Sequence, residues 1–450
     1  HYYEGIRAAN FYLKETAGLT FDEWKYSDDY EAIMKEFTNY QYEVRFLRAY
    51  FYFELIKRYR NIPFVLDVLA QNEANGVNPE SYEKIAKFIV DECSDLAQIL
   101  PVNYDNFSTK EKGRVTRAAA MALKSRVTLY MASPLFSEDS EDKWKQAAEA
   151  AYDIIKQKTD LGLDLVPYPQ IFNDVNNQKA EVILYRPTGE SGDFEKANFP
   201  IGVEGGKTST CPTQNLMEAY DMKDGTPFVW NNQSNPYDNR DPRMKYTIVC
   251  NEMKWPVDPV EIWEGGTNGL PLQNATTTGY YLKKYVNNTI SFEAGSTVTK
   301  KQHNWVLFRY GEILLNYAEA MINAFHDPNY KDAVYNMSAR EAVNQIRGRT
   351  NISLPGFPSD ITEKDFVKRL KNERRVELAF EGHRFWDVRR WKELGQTANI
   401  YGVKITKNNE VISYEKFLLE TRAVTDNMYF YPIPNTERFK NPNLGQNPGW

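Results

Sequence analysis

Val306-Leu-Phe-Arg-Tyr-Gly-Glu-Ile-Leu-Leu-Asn-Tyr-Ala-Glu-Ala-Met-Ile-Asn-Ala-Phe325 carries the cleanest helical period in this 450-residue chain. Tyr310, Ile313, Leu314, Tyr317, Ala318 and Met321 recur at i, i+3, i+4, i+7, i+8 and i+11, one stripe of an α-helix. The spacing predicts a helix over 306–325. A stripe this apolar must be covered, and the covering helix has to be sought elsewhere in the chain.

Working outward, helical patterns recur over 43–60, 79–100, 115–133 and 141–156, then over 331–349, 362–380 and 385–393. Glu43–Arg60 has two apolar stripes, Val44, Leu47, Phe51 and Leu55 beside Phe46, Tyr50 and Phe53, so it must sit between other helices. Asn61-Ile62-Pro63 ends it, because the residue before Pro is pushed out of the α region. Ala118, Ala119, Ala120 and Ala122 allow close helix approach. The helices pair at a spacing of about 35–45 residues, the period of helix–turn–helix solenoids. Trp144, Ala147, Ala148 and Ala151 occupy the Trp, Leu, Gly and Tyr positions of a tetratricopeptide repeat. Helix 141–156 finds its partner only at 306–325.

Between those two helices the periodicity disappears. Residues 160–304 hold 12 of the 24 glycines and 11 of the 22 prolines, the composition of loops, turns and short strands. Strand candidates are 181–185, 246–250 and 280–285. After Leu394 the chain again reads as irregular, an extended strap ending in Asn447-Pro-Gly-Trp450. The expected fold class is mostly α, a tetratricopeptide-like solenoid of helix pairs carrying a large loop-rich subdomain with short strands. Its expected parts are a helical scaffold over 1–158, a loop-rich insertion over 159–304, scaffold again over 305–395, and an irregular strap over 396–450.

Composition narrows the function. Hydrophobic residues at 42% and charged residues at 26% exclude wholesale disorder. A net charge of −6 offers no electrostatic footprint for nucleic acid. No apolar run approaches the length of a membrane-spanning helix. Cys93, Cys211 and Cys250 are too few for a disulfide scaffold. The chain opens at His1 with no signal pattern after it, so any targeting signal is expected upstream. Four histidines with no i, i+4 pair argue against zinc or iron, and no cofactor is expected. Gly202-Val-Glu-Gly205-Gly206-Lys207-Thr208 falls one residue short of a P-loop. Asp221-Met-Lys-Asp224-Gly225 lacks the ligands of a calcium loop and reads as a turn. Arg374, Arg375, Arg384, Arg389 and Arg390 look like an anion site, yet Glu373, Glu377, Glu381 and Asp387 interleave at helical spacing, the pattern of structural ion pairs.

The functional lead is aromatic. Tyr, Phe and Trp make up 14% of the chain, and three of nine Trp fall in one stretch of 34 residues. Trp230, Tyr237, Trp255 and Trp263 are the candidate ligand-binding residues, set among Asn, Gly, Pro and Asp rather than in an apolar period. Such rings suit the CH face of a sugar, with Asn and Asp for its hydroxyls. At least one of the three Trp is expected to be exposed.

Blocks in a fixed order sharpen this reading. Arg45-Phe-Leu-Arg-Ala-Tyr-Phe-Tyr-Phe-Glu-Leu-Ile-Lys-Arg-Tyr59, Arg114-Val-Thr-Arg-Ala-Ala-Ala120, Asn239-Arg-Asp-Pro-Arg243 and Thr278-Gly-Tyr-Tyr-Leu-Lys-Lys-Tyr285 come first. Arg309-Tyr-Gly-Glu-Ile-Leu-Leu-Asn-Tyr-Ala-Glu-Ala320, Glu373-Arg-Arg-Val-Glu-Leu-Ala-Phe-Glu-Gly382, Asp387-Val-Arg-Arg-Trp391, Tyr431-Pro-Ile-Pro434 and the terminal Trp450 complete the set. Together they resemble the SusD/RagB family, surface glycan-binding lipoproteins of Bacteroidetes. The resemblance implies four tetratricopeptide-like helix pairs and no enzyme activity. It also implies a lipid anchor on the outer membrane and a SusC-like TonB-dependent transporter as partner. Family members begin with a lipoprotein signal and a lipidated Cys, which this chain does not show. The expected function is capture of oligosaccharide for that transporter; alternatives are peptide capture by the same architecture and, from another class, glycoside hydrolysis.

Overall fold

The computed structural model describes residues 1–450 apart from 108–110, 139, 173–178, 232–234 and 294–298. Helices α1 (Tyr2–Glu15), α2 (Tyr30–Tyr59), α3 (Tyr82–Ile99), α4 (Arg117–Ala132) and α5 (Glu141–Lys156) pack each on the next in chain order. The chain then leaves the stack and returns as α6 (Tyr310–Phe325), which packs on α5 and carries α7 (Ala339–Arg347) and α8 (Glu363–Glu377). A short α9 (Arg384–Arg390) follows.

Local chemistry sets these boundaries. Ser140 Oγ accepts from Lys143 N–H at the start of α5, with Glu141 and Asp142 in the first turn and Lys156 in the last, all favourable to the helix dipole. Trp144, Ala147, Ala148 and Ala151 are buried on one face, and Tyr152 stacks on Tyr317 at 5.4 Å. That is the expected pairing of 141–156 with the helix after the insertion. The alanines of α4 are buried throughout, and Arg126 there makes a two-pronged pair with Glu312 at 2.7 and 2.6 Å.

Three boundaries differ from the sequence reading. Residues 306–309 are not helical: β4 (Lys301–Arg309) pairs antiparallel with β1 (Val182–Ser191), and alternating burial of Asn304, Val306 and Phe308 shows its period of two. Helix α2 begins at Tyr30 rather than 43, its apolar spacing running back through Phe37, Met34 and Ile33 to Tyr30 although the residues it buries there are the polar Glu36 and Asn39. Residues 331–338 are a turn, held by the Asp332 carboxylate accepting from Val334 and Tyr335 N–H; a reciprocal cap between Ser338 and Glu341 then starts α7.

The tail is not irregular throughout. β5 (Asn399–Asn408) and β6 (Val411–Thr421) form an antiparallel hairpin around Asn409, which takes a left-handed φ of 54°. Its inward residues Val403, Ile405 and Tyr414 close a second core. That core includes Phe199, Met217, Tyr220, Tyr280 and Tyr281, with β2 (Ile248–Val249) paired to β3 (Tyr281–Leu282). The inserted region is therefore a packed body covered by the hairpin. The final residues fold back on α2, with Tyr431 N–H donating to Arg58 O and Trp450 Nε1 to Phe430 O.

A buried ion network joins this body to the helical stack. Arg309 donates to Glu181 and Glu377 at 2.8 Å and to Glu381 at 2.7 Å. Arg349 meets the same Glu181 and Glu377, and Arg243 bridges Glu373 and Glu377 at 2.5 and 2.8 Å. Gly311 lies against it: a Cβ there would overlap Arg309 Nη1 and sit 2.9 Å from Glu181 Oε1. Gly→Ala in a helix usually stabilises by about 1 kcal/mol. Gly311→Ala should instead destabilise by more than that, read as a lower denaturant midpoint; a raised midpoint would show that the network yields to the methyl group.

Candidate functional site

The structure does not gather the four aromatic candidates into one platform. Trp255 is 6% exposed and belongs to the second core, so its expected role as an open stacking face needs correction. Trp230 and Trp263 are half-buried against that core, so none of the three Trp is fully exposed. Tyr237 packs edge-on against Tyr280 and Tyr414. Trp230 packs edge-on against Phe228, and Lys407 Nζ lies 4.4 Å from the Trp263 ring centre. No ring contact links any two of the four.

One of them does line a cleft. Trp255, Tyr246, Phe172, Lys283, Asn287 and Asn288 border a space of about 450 Å³ where the inserted body meets the segment before β1. Tyr246 is held by the turn of helix over 244–247, its hydroxyl accepting from Asn351 at 3.4 Å. Phe172 packs edge-on against Tyr285, and Lys284 Nζ sits 4.0 Å from its ring centre. Lys283 Nζ lies 4.9 Å from the Trp255 ring centre, its other contact being Met253 Sδ at 3.5 Å. Lys283 makes no ion pair among the described residues, and burial lowers the pKa of its ammonium. Trp255 Nε1 and the Tyr285 hydroxyl are buried with no hydrogen-bond partner among the described residues. The cleft thus offers apolar ring faces, a cation with no ion pair among the described residues, and side-chain amides.

Lys283, Tyr246 and Phe172 escaped the sequence reading. They come from segments more than 100 residues apart at the extremes, and Lys283 was part of a strand candidate. The aromatic flag itself was legible, since Trp255 stands in it.

The arginine cluster divides. Arg374 and Arg390 each pair with the interleaved Asp387 at 2.9 Å, and Arg390 also reaches Glu319 on α6. Glu373, Glu377 and Glu381 instead take their partners from distant segments, Arg243, Arg309, Arg347, Arg349 and Lys284. Gly202-Val-Glu-Gly205-Gly206 is a packing loop, with the Thr267 carbonyl occupying the space a Cβ at Gly202 would need.

Against known proteins, the SusD family model matches residues 171–450, and a second family model, described as starch-binding associating with outer membrane, matches residues 1–129. The SusD-like protein P2 of Formosa agariphila is 29% identical over 163 residues, 35% of this chain and 28% of that protein's length. A SusD-like protein from Bacteroides fragilis superposes with a TM-score of 0.81 at 26% identity, covering 100% of this chain and 85% of its own. A SusD-like carbohydrate binding protein from the same organism superposes at 0.75 and 27%, covering 91% and 80%. No helix among the described residues is long and apolar enough to cross a membrane.

Proposed function

The chain belongs to the SusD family, and on that premise we propose that it is a non-catalytic surface protein that captures oligosaccharide. It would pass its ligand to a SusC-like TonB-dependent transporter and be held at the outer membrane by a lipid anchor. A relative of this fold is a carbohydrate binding protein, and the family model over residues 1–129 is described as starch-binding. The observation that carries the reading is the cleft beside Trp255, where aromatic faces stand next to side-chain amides and to Lys283, which has no ion pair among the described residues.

The same cleft bears on catalysis. Glycoside hydrolysis needs two carboxyl groups flanking the bond, and no described residue lining the space is Asp or Glu. Binding without turnover is the reading this favours.

Affinity should be modest. Ring contacts contribute roughly 1–2 kcal/mol each by apolar area, and must exceed about 4 kcal/mol or more of lost ligand freedom. That leaves a Kd on the order of micromolar to millimolar. A glycan array followed by product analysis of each hit tests the reading, and no shortened sugar should accumulate. Lys283→Met should weaken binding about five- to thirtyfold with the melting temperature nearly unchanged, since no ion pair is broken. Normal binding by this variant would move the site elsewhere; hydrolysis abolished by one carboxylate substitution would replace the reading with an enzyme.

A further inference from the structure

A second cleft, of about 490 Å³, opens between α8, α9 and the loop at Phe228. Arg369, Arg375, Arg384, Lys364, Lys368 and Lys371 all border it. Its three carboxylates are already engaged. Asp221 faces Arg347 at 3.4 Å and Arg369 at 3.7 Å, Glu218 holds Lys416 at 2.7 Å, and Glu393 holds Lys371 at 2.5 Å.

What remains is an excess of positive charge, six cations against three carboxylates in the lining. Arg375 makes no side-chain hydrogen bond and no ion pair among the described residues, unlike its neighbour Arg374. Among the described residues Arg384 donates only to Gln396 Oε1, at 2.8 Å. Burial, and then the charge of Arg384, pull the Arg375 guanidinium down to about 10. A guanidinium half removed from water beside a second one is costly to hold empty, and its planar fork matches an oxyanion. Phe228 also lines the cleft, with Arg240 stacked at 3.6 Å from its ring centre. An aromatic ring and two guanidinium groups bordering one cleft suit a sugar that carries its own negative charge.

We propose that this cleft is a second binding site, taking the carboxylate or sulfate ester of an acidic sugar through Arg375 and Arg384, with the sugar ring against Phe228. The proposal rests on the glycan-binding reading but on a different cleft, so the two can fail separately.

Titration calorimetry at low salt tests it with galacturonate trimer, the neutral galactose trimer, inorganic sulfate and a triglutamate peptide as probes. The acidic trimer should bind at least tenfold tighter than the neutral one, and added salt should erode the difference. Arg375→Gln should abolish that preference without shifting the melting temperature, Arg375→Lys should retain part of it, and Lys283→Met should leave it intact. Equal binding of the two trimers, or a preference that survives Arg375→Gln, overturns the proposal. Sulfate or triglutamate binding as tightly as the acidic trimer overturns the assignment to a sugar, because the ring would then add nothing. If every neutral glycan fails to bind but the Arg375-dependent preference persists, the first cleft fails and this one stands.

Discussion

Glu377→Gln should cost about 3–5 kcal/mol of stability, the range for removing one member of a buried ion pair. The side chain is fully buried, its Oε1 accepts from Arg309 and Arg349, and its Oε2 accepts from Arg243. Burial raises the pKa of the carboxyl, but the charges of Arg349, Arg309 and Arg243 outweigh it and hold the group well below the usual carboxylate range. Gln keeps the volume and removes only the charge, leaving three buried guanidinium groups short of neutralisation. The denaturant midpoint should fall with the m-value unchanged; a loss under about 1 kcal/mol would mean that the remaining acids carry the network.

The same groups set the acid side of the stability profile. Glu373, Glu377 and Glu381 all have folded values depressed by neighbouring cations. Their contribution is complete above the unfolded carboxylate value of about 4.3 and is lost as pH falls through the lower folded values. His383 acts earlier. Burial, then the charges of Arg126 and Arg374, keep it neutral well below its ordinary value. The unfolded chain therefore takes up a proton first as pH drops under about 6.5, costing up to about 1.4 kcal/mol per pH unit. Stability should decline from near neutrality and steepen in the carboxylate range, and His383→Gln should flatten only the upper limb.

Why some of this was legible and some not comes down to sequence separation. The helices of the stack carry their own period, so Glu141–Lys156 and the body of α6 follow from spacing alone. The hairpin also carried a signal, alternation through Ile400, Val403 and Ile405 and again after Asn408-Asn409, with a bulge at Ile400/Tyr401 interrupting the count. The ion network was half legible. Acids and arginines at helical spacing marked structural ion pairs but not their partners: Glu373 and Glu377 meet Arg243 from 130 and 134 residues away. Nothing local encodes that choice. Trp255 misled for the same reason: its sequence neighbours are polar, while its spatial neighbours come from 199–286 and the hairpin.

Trp255→Ala is accordingly expected to lower stability by about 3–5 kcal/mol, the cost of emptying a buried Trp site. The ring is 6% exposed and belongs to the second core, as do Ile248, Val249, Val260 and Tyr280. Trp230→Ala and Trp263→Ala remove half-buried rings at the edge of that core and should each cost much less, about 1 kcal/mol. This ordering separates a core role from a surface role before any ligand is added. Trp255 also borders the cleft, so weaker glycan binding by Trp255→Ala would follow from unfolding as readily as from a lost contact. Trp255→Phe resolves the two, because it keeps an apolar ring in the core and deletes the unpartnered Nε1. A variant that folds with a nearly unchanged midpoint and still binds weakly places the indole against the ligand. If Trp255→Ala unfolds no earlier than Trp230→Ala and Trp263→Ala, the ring is not part of the core and the packing described for the inserted body is wrong at that point.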